Sequence, residues 1–82
     1  MAEYQYTIVL HPDPESGGYG VEVPALPGCF TQGATRGQAL ERAREAIAAH
    51  LAGLVADGAS IPEERARPQI VTVPVAASET PR

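Results

Sequence analysis

The stretch Val21-Glu22-Val23-Pro24-Ala25-Leu26-Pro27-Gly28-Cys29-Phe30-Thr31-Gln32-Gly33-Ala34-Thr35 decides the fold. Tyr19, Val21 and Val23 alternate with Gly20 and Glu22, the period of a half-buried strand. Pro24 and Pro27 lack the N–H that a central strand must donate, so the strand stops there, and Cys29 to Gln32 reads as extended chain again. This is a strand, a proline-bracketed turn and a second strand. Thr35 followed by Gln38 three residues on has the form of a capping box, in which the Thr hydroxyl accepts from the Gln38 backbone N–H and the Gln38 side chain reaches back. A helix is therefore expected to start at Arg36.

Upstream, Tyr4, Tyr6, Ile8 and Leu10 alternate with Gln5, Thr7 and Val9, which predicts a first strand over Tyr4 to His11. His11 to Gly18 gathers two prolines, an Asp, a Ser and two glycines, the composition of a hairpin turn. Downstream, Leu40, Ala43, Ile47, Leu51 and Leu54 fall within one stripe at 100° per residue, with Glu41, Arg42 and Glu45 on the opposite side. The helix should end near Asp57, where Gly58 can take a left-handed cap and Pro62 blocks continuation. About 22 residues at ~1.5 Å each make it roughly 33 Å long, so part of it should overhang a small sheet. Ala59 to Pro68 is a polar connection, and Gln69 to Val73, with Ile70, Val71 and Val73, predicts a last short strand ended by Pro74.

The order is strand, strand, strand, helix, strand. A right-handed crossover would lay the last strand parallel to the first, giving spatial order three, two, one, four, with pairing to the third as the alternative. The fold class is α+β, a mixed sheet with one helix packed on one face. Residues 1–75 form the domain and 76–82 a disordered tail.

Chemistry is sparse in this pattern. His11 opens a turn and His50 lies off the apolar stripe, and nothing in the spacing brings them together or beside a carboxylate. Two histidines and scattered carboxylates without paired spacing leave no metal site, and no cofactor is implied. Ser16 and Ser60 have no base in view, while Cys29, between Gly28 and Phe30, reads as a small core residue. Gly17-Gly18-Tyr19-Gly20 precedes a strand and not a helix, so it is a turn and not a phosphate loop. One feature resists a propensity account: Ala48, Ala52, Gly53 and Ala56 occupy the outward helix face, and a mid-helix glycine costs ~1 kcal/mol relative to alanine. A stripe of small residues lets another backbone approach, which marks a self-association surface.

Bulk properties bound the answer further. With 82 residues the chain is one domain with a thin core, and one cysteine excludes an internal disulfide, so oligomerisation is the remaining route to extra stability. Sheet edges without Lys and the small-residue helix face together favour a homodimer or homotetramer over a monomer. No apolar run reaches the ~18 residues of a membrane span and no targeting segment opens the chain, so a cytoplasmic protein is expected. Six Arg and no Lys against ten acids give a net charge of −4, which removes the main driving force for direct DNA or RNA binding and suits a basic protein partner.

The run from Val21 to Gly33, with Thr35 opening a helix that reads Gln38-Ala39-Leu40 and Ala43-Arg44-Glu45-Ala46-Ile47, strongly resembles the HicB-like antitoxin family. The resemblance spans Tyr4 to Ile70 and includes the Gly17-Gly18-Tyr19 lead into the second strand and Ile61-Pro62 after the helix. It implies a β-β-β-α-β domain similar to a reduced ribonuclease H fold, whose family role is to bind and silence HicA, a small basic toxin that cleaves messenger RNA. Two departures stand out. The family often has acidic residues before the capping Thr and in the first helical turn, where this chain has Ala34 and Gly37-Gln38. Many members also continue into a DNA-binding domain, so operator binding is not carried over.

The expectation is thus a non-catalytic antitoxin-type module. Its toxin-facing surface is placed on the proline-bracketed loop and its neighbours, Pro24, Leu26, Pro27, Gly28 and Phe30, with Glu22 supplying charge. The alternatives are a stand-alone oligomeric HicB-like domain that binds a small ligand, and a residual metal-dependent nuclease. Against the nuclease, two-metal hydrolysis needs converging carboxylates, the Tyr4 to His11 strand has none, and Glu22, Glu41 and Glu45 show no convergence.

Overall fold

The computed structural model describes residues 3–78 and contains three strands and one helix. Strands β1 (Val9–Pro12), β2 (Tyr19–Glu22) and β3 (Phe30–Gly33) form an antiparallel sheet in the order β1-β2-β3, and helix α1 (Arg36–Ala56) follows. Register is set by the pairs Leu10 with Val21 and Val21 with Thr31. The β1–β2 turn is closed by Asp13, whose N–H donates to the Gly18 carbonyl and whose carbonyl accepts from Gly17, both at 2.8 Å. The Asp13 carboxylate also accepts from the Glu15 N–H and the Ser16 hydroxyl, which hold its pKa below the usual range.

Alternation places Tyr19, Val21 and Thr31 on the helix side of the sheet and Glu22, Phe30 and Gln32 on the other. The core has two parts that share Ile8. Val21, Ala39 and Ala43 are buried with Ile8, Leu10 and Tyr19 against them, and Val23, Leu26 and Cys29 are buried beneath Tyr6, Ile8, Ala46, Ile47 and Leu51. Close approach of helix and sheet requires Gly33, because a Cβ there would lie 2.4 Å from the Ala39 backbone nitrogen. The residues that seat the helix most deeply are therefore Ala39 and Ala43, with the larger members of the expected stripe, Leu40, Ile47, Leu51 and Leu54, only half-buried.

Both helix caps form. The Gln38 N–H donates to the Thr35 hydroxyl at 3.1 Å, and the Gln38 side chain accepts from the Ala34 N–H at 2.6 Å, one residue before the expected partner. At the other end Gly58 has φ +72°, its N–H donates to the Val55 carbonyl, and the Ala59 N–H donates to Leu54, the pair of bonds that defines a Schellman motif.

Two expectations are corrected. The first strand starts at Val9 and not Tyr4, because β2 ends before Pro24 and leaves residues 4–8 without a ladder partner. Those residues are held instead by the segment after the helix. The Tyr6 hydroxyl donates to the Pro62 carbonyl at 2.5 Å, and the Thr7 N–H and hydroxyl donate to the two Glu64 carboxylate oxygens, each at 2.6 Å. Second, Gln69 to Val73 forms no strand, so the sheet is wholly antiparallel and not mixed, and the parallel fourth strand of a reduced ribonuclease H arrangement does not form within the single chain. Strand propensity is realised only by pairing, and this segment has no partner. Ile70, Val71, Val73 and Val75 are 68–82% exposed, and the molecule is drawn out to 60 × 29 × 20 Å. Of the expected tail, Ala76 to Ser78 are exposed and outside any element, and 79–82 lie outside the described residues.

Candidate functional site

The sheet face turned away from the helix carries two of the candidate residues, Glu22 and Phe30. Glu22 and Phe30 are register partners on adjacent strands, and Phe30 is 69% exposed. A large aromatic ring left this open at the start of the edge strand β3 is an informative exposure, since such rings supply anchor contacts at interfaces. Beside it, Gly20 leaves the face without a side chain between its register partners His11 and Gln32.

His11 Nε2 lies 2.8 Å from Glu22 Oε1, an ion pair when the imidazole is protonated and a hydrogen bond otherwise. This overturns the expectation that neither histidine stands beside a carboxylate. The hairpin register carried the signal: with the turn at Asp13 to Gly18, His11 faces Gly20 and lies diagonal to Glu22. One of the two Glu22 carboxylate oxygens is thus already engaged within the chain.

The proline-bracketed loop is two consecutive β-turns. The Leu26 N–H donates to the Val23 carbonyl and the Cys29 N–H to the Leu26 carbonyl, both at 3.0 Å, with Gly28 at φ +83° after Pro27 in the arrangement of a type II turn. Pro24, Pro27 and Gly28 are exposed, as expected of a presented loop. Leu26 is not: it is 0% exposed and sits in the core with Val23 and Cys29. The two turns tip its side chain inward, so Leu26 supports the loop from beneath and contributes no surface. Cys29 is also buried, and burial pushes its thiol pKa up, away from a thiolate nucleophile.

On the helix, Ala48, Ala52, Gly53 and Ala56 are all exposed, and a Cβ at Gly53 would meet nothing within 4 Å. Glu41 and Glu45 project from the helix, on the opposite side of the sheet from Glu22, so the three carboxylates are kept apart. Among the described residues no group of three or more His, Cys, Asp or Glu side chains is placed to hold a metal ion. No helix among them is long and apolar enough to cross a membrane.

A small α+β domain with an exposed aromatic on its outer sheet face and a preordered proline loop at its end is the class defined here. Residues 6–76 match the HicB-like antitoxin family of bacterial toxin-antitoxin systems, and the chain belongs to that family. It is 47% identical over 62 residues to a UPF0150 protein of Thermoplasma acidophilum, covering 76% of this chain and 88% of that one. A UPF0150 protein of Synechocystis is 36% identical over 61 residues, 74% of this chain and 76% of its own length. An uncharacterised 14.9 kDa protein of Haemophilus phage HP1 is 39% identical over 57 residues, which is 70% of this chain but 43% of the phage protein.

Proposed function

We propose that the protein is a non-catalytic antitoxin module that captures a small, basic, messenger-RNA-cleaving toxin of the HicA type. The carrying observation is the family match across residues 6–76, which takes in the whole folded body. The docking surface in this reading is Glu22, Phe30 and the exposed part of the loop, Pro24, Pro27 and Gly28. Phe30 supplies the apolar anchor, the two turns hold the loop in one conformation before binding, and the net charge of −4 steers a basic partner inward. The same charge disfavours direct DNA binding. Silencing such a toxin places the protein in the cytoplasm, and the exposed Ala48, Ala52, Gly53 and Ala56 face serves association of modules with one another.

Co-expression with a HicA-like toxin, taken from the neighbouring gene where one is found there, tests the reading. Growth is expected to be restored and the two proteins to co-purify. Phe30→Asp, confirmed folded by circular dichroism, is expected to lose both. A folded Phe30→Asp variant that still neutralises would move the interface elsewhere, and failure of the native chain to bind the toxin would end the antitoxin reading. RNA incubated with the protein and magnesium is expected to stay intact; cleavage abolished by Glu22→Ala would restore the nuclease alternative.

A further inference from the structure

An unpaired segment and an unfilled groove occur in the same chain. The segment is Gln69 to Val75. Its odd-numbered residues Val71, Val73 and Val75 share one face in extended conformation, and all are at least two-thirds exposed. Pro74 falls on the other parity with Ile70 and Thr72, so a strand pairing through Gln69, Val71 and Val73 keeps every donor it needs and turns its missing N–H outward, where an edge strand tolerates proline. The groove lies between residues 3–6 and the middle of the helix, lined by Glu3, Tyr4, Tyr6, Arg44, Ile47, Ala48 and Leu51, with a volume of about 410 Å³. Residues 4–6 of its wall lead through Thr7 and Ile8 into β1, an edge of the sheet with no strand beyond it among the described residues.

The chain's own path leads away from that groove. Glu64 is fixed on Thr7, and the following residues run beside Pro24 and Ala25, with Glu63, Arg65, Ala66 and Pro68 in the same hollow. That hollow and the groove share no lining residue. Beyond Pro68 the segment leaves the body altogether, which raises the radius of gyration to 17.0 Å, where a compact chain of this length has about 12 Å.

We propose that two copies exchange these arms: Gln69 to Val75 of each adds as a fourth strand to the β1 edge of the other, with Val71 and Val73 seated in the groove against Ile47 and Leu51. The occupant is a second copy of this chain because the groove and the strand that fits it are both present, and after Pro68 the chain runs exposed, away from its own body. A reciprocal exchange has two-fold symmetry and closes, leaving neither a free arm nor an open groove. It does not depend on the antitoxin reading.

Light scattering on the full chain at micromolar concentration is expected to give twice the 8.6 kDa chain mass, and the double variant V71D/V73D to halve it while the helix signal in circular dichroism persists. Mixed dimers of differently isotope-labelled chains are expected to show contacts from the Val71 and Val73 methyls to Tyr6 and Leu51 between chains. A native mass of 8.6 kDa overturns the proposal, as does a dimer that V71D/V73D leaves intact. Methyl contacts found only within one chain also overturn it, since they mean that the arm folds back on its own body. If the double variant fails to fold, the isotope experiment decides alone.

Discussion

Residues 6–64 and residues 65–78 are equally apolar in kind and opposite in fate. In the body, Val21, Val23 and Leu26 are at most 3% exposed, and two turns, two helix caps and a strap across Thr7 hold them there. In the arm, Ile70, Val71, Val73 and Val75 are at least 68% exposed, with no element around them. Hydrophobicity and β-branching thus do not create a strand or a core; backbone partners and a surface to cover do.

The sharpest way to break the body is Gly33→Ala. A methyl group 2.4 Å from the Ala39 nitrogen cannot be absorbed by a flexible side chain, so the helix must lift from the sheet, costing ~3 kcal/mol or more. Chemical denaturation is expected to show a broad, weak transition or none. Leu26→Ala should follow at about 2–5 kcal/mol through the cavity left under the loop, read as a drop in Tm of about 4–8 °C per kcal/mol. Equal stability of that variant and the native chain would place Leu26 at the surface after all. Thr35→Ala removes the hydroxyl that accepts from the Gln38 N–H and should cost ~1 kcal/mol.

Glu64 tests the boundary between the two regions. Its carboxylate is held below its ordinary pKa first by the Thr7 hydroxyl and then by the Thr7 N–H. A depressed folded pKa contributes stability that is present above the unfolded value of ~4.3 and is lost as pH falls through the folded one. Acidification below about pH 4 should therefore release the strap before the core, seen as faster amide exchange at Thr7, and Glu64→Gln should flatten that dependence. The smallest effect belongs to the arm. At concentrations low enough to keep the chain monomeric, Val73→Ser should leave the stability within ~0.5 kcal/mol of native, whereas at high concentration it should lower the thermal midpoint.

The parts of the fold legible in the sequence are those with local causes. Thr35 with Gln38, Gly58, and the pair of prolines around Leu26 each act within a few residues, and each does in the structure what its chemistry implies. What was not legible depends on register or on distance. Ala39 seats the helix because Gly33 lets it approach, a pairing that no hydrophobic stripe weighted toward leucine reveals. His11 meets Glu22 only once the hairpin register is known. Leu26, in a loop that looks presented, turns inward because two successive turns rotate it, and this removes one residue from the expected binding surface while leaving Phe30 on it. The Gln69 to Val73 segment has the composition of a strand, but composition does not name its neighbour.

The sealed position of Cys29 gives the molecule a built-in clock. As its one sulfhydryl, 5% exposed beneath the loop and with its ionisation suppressed by burial, it can react with a disulfide reagent only when Val23, Leu26 and the helix part company. The rate at which that single site is modified in the native protein therefore tracks the opening of the inner cluster, its equilibrium where reclosing outpaces modification and its frequency where modification is faster. Measured across protein concentration, it would report whether joining a second copy keeps that cluster shut for longer.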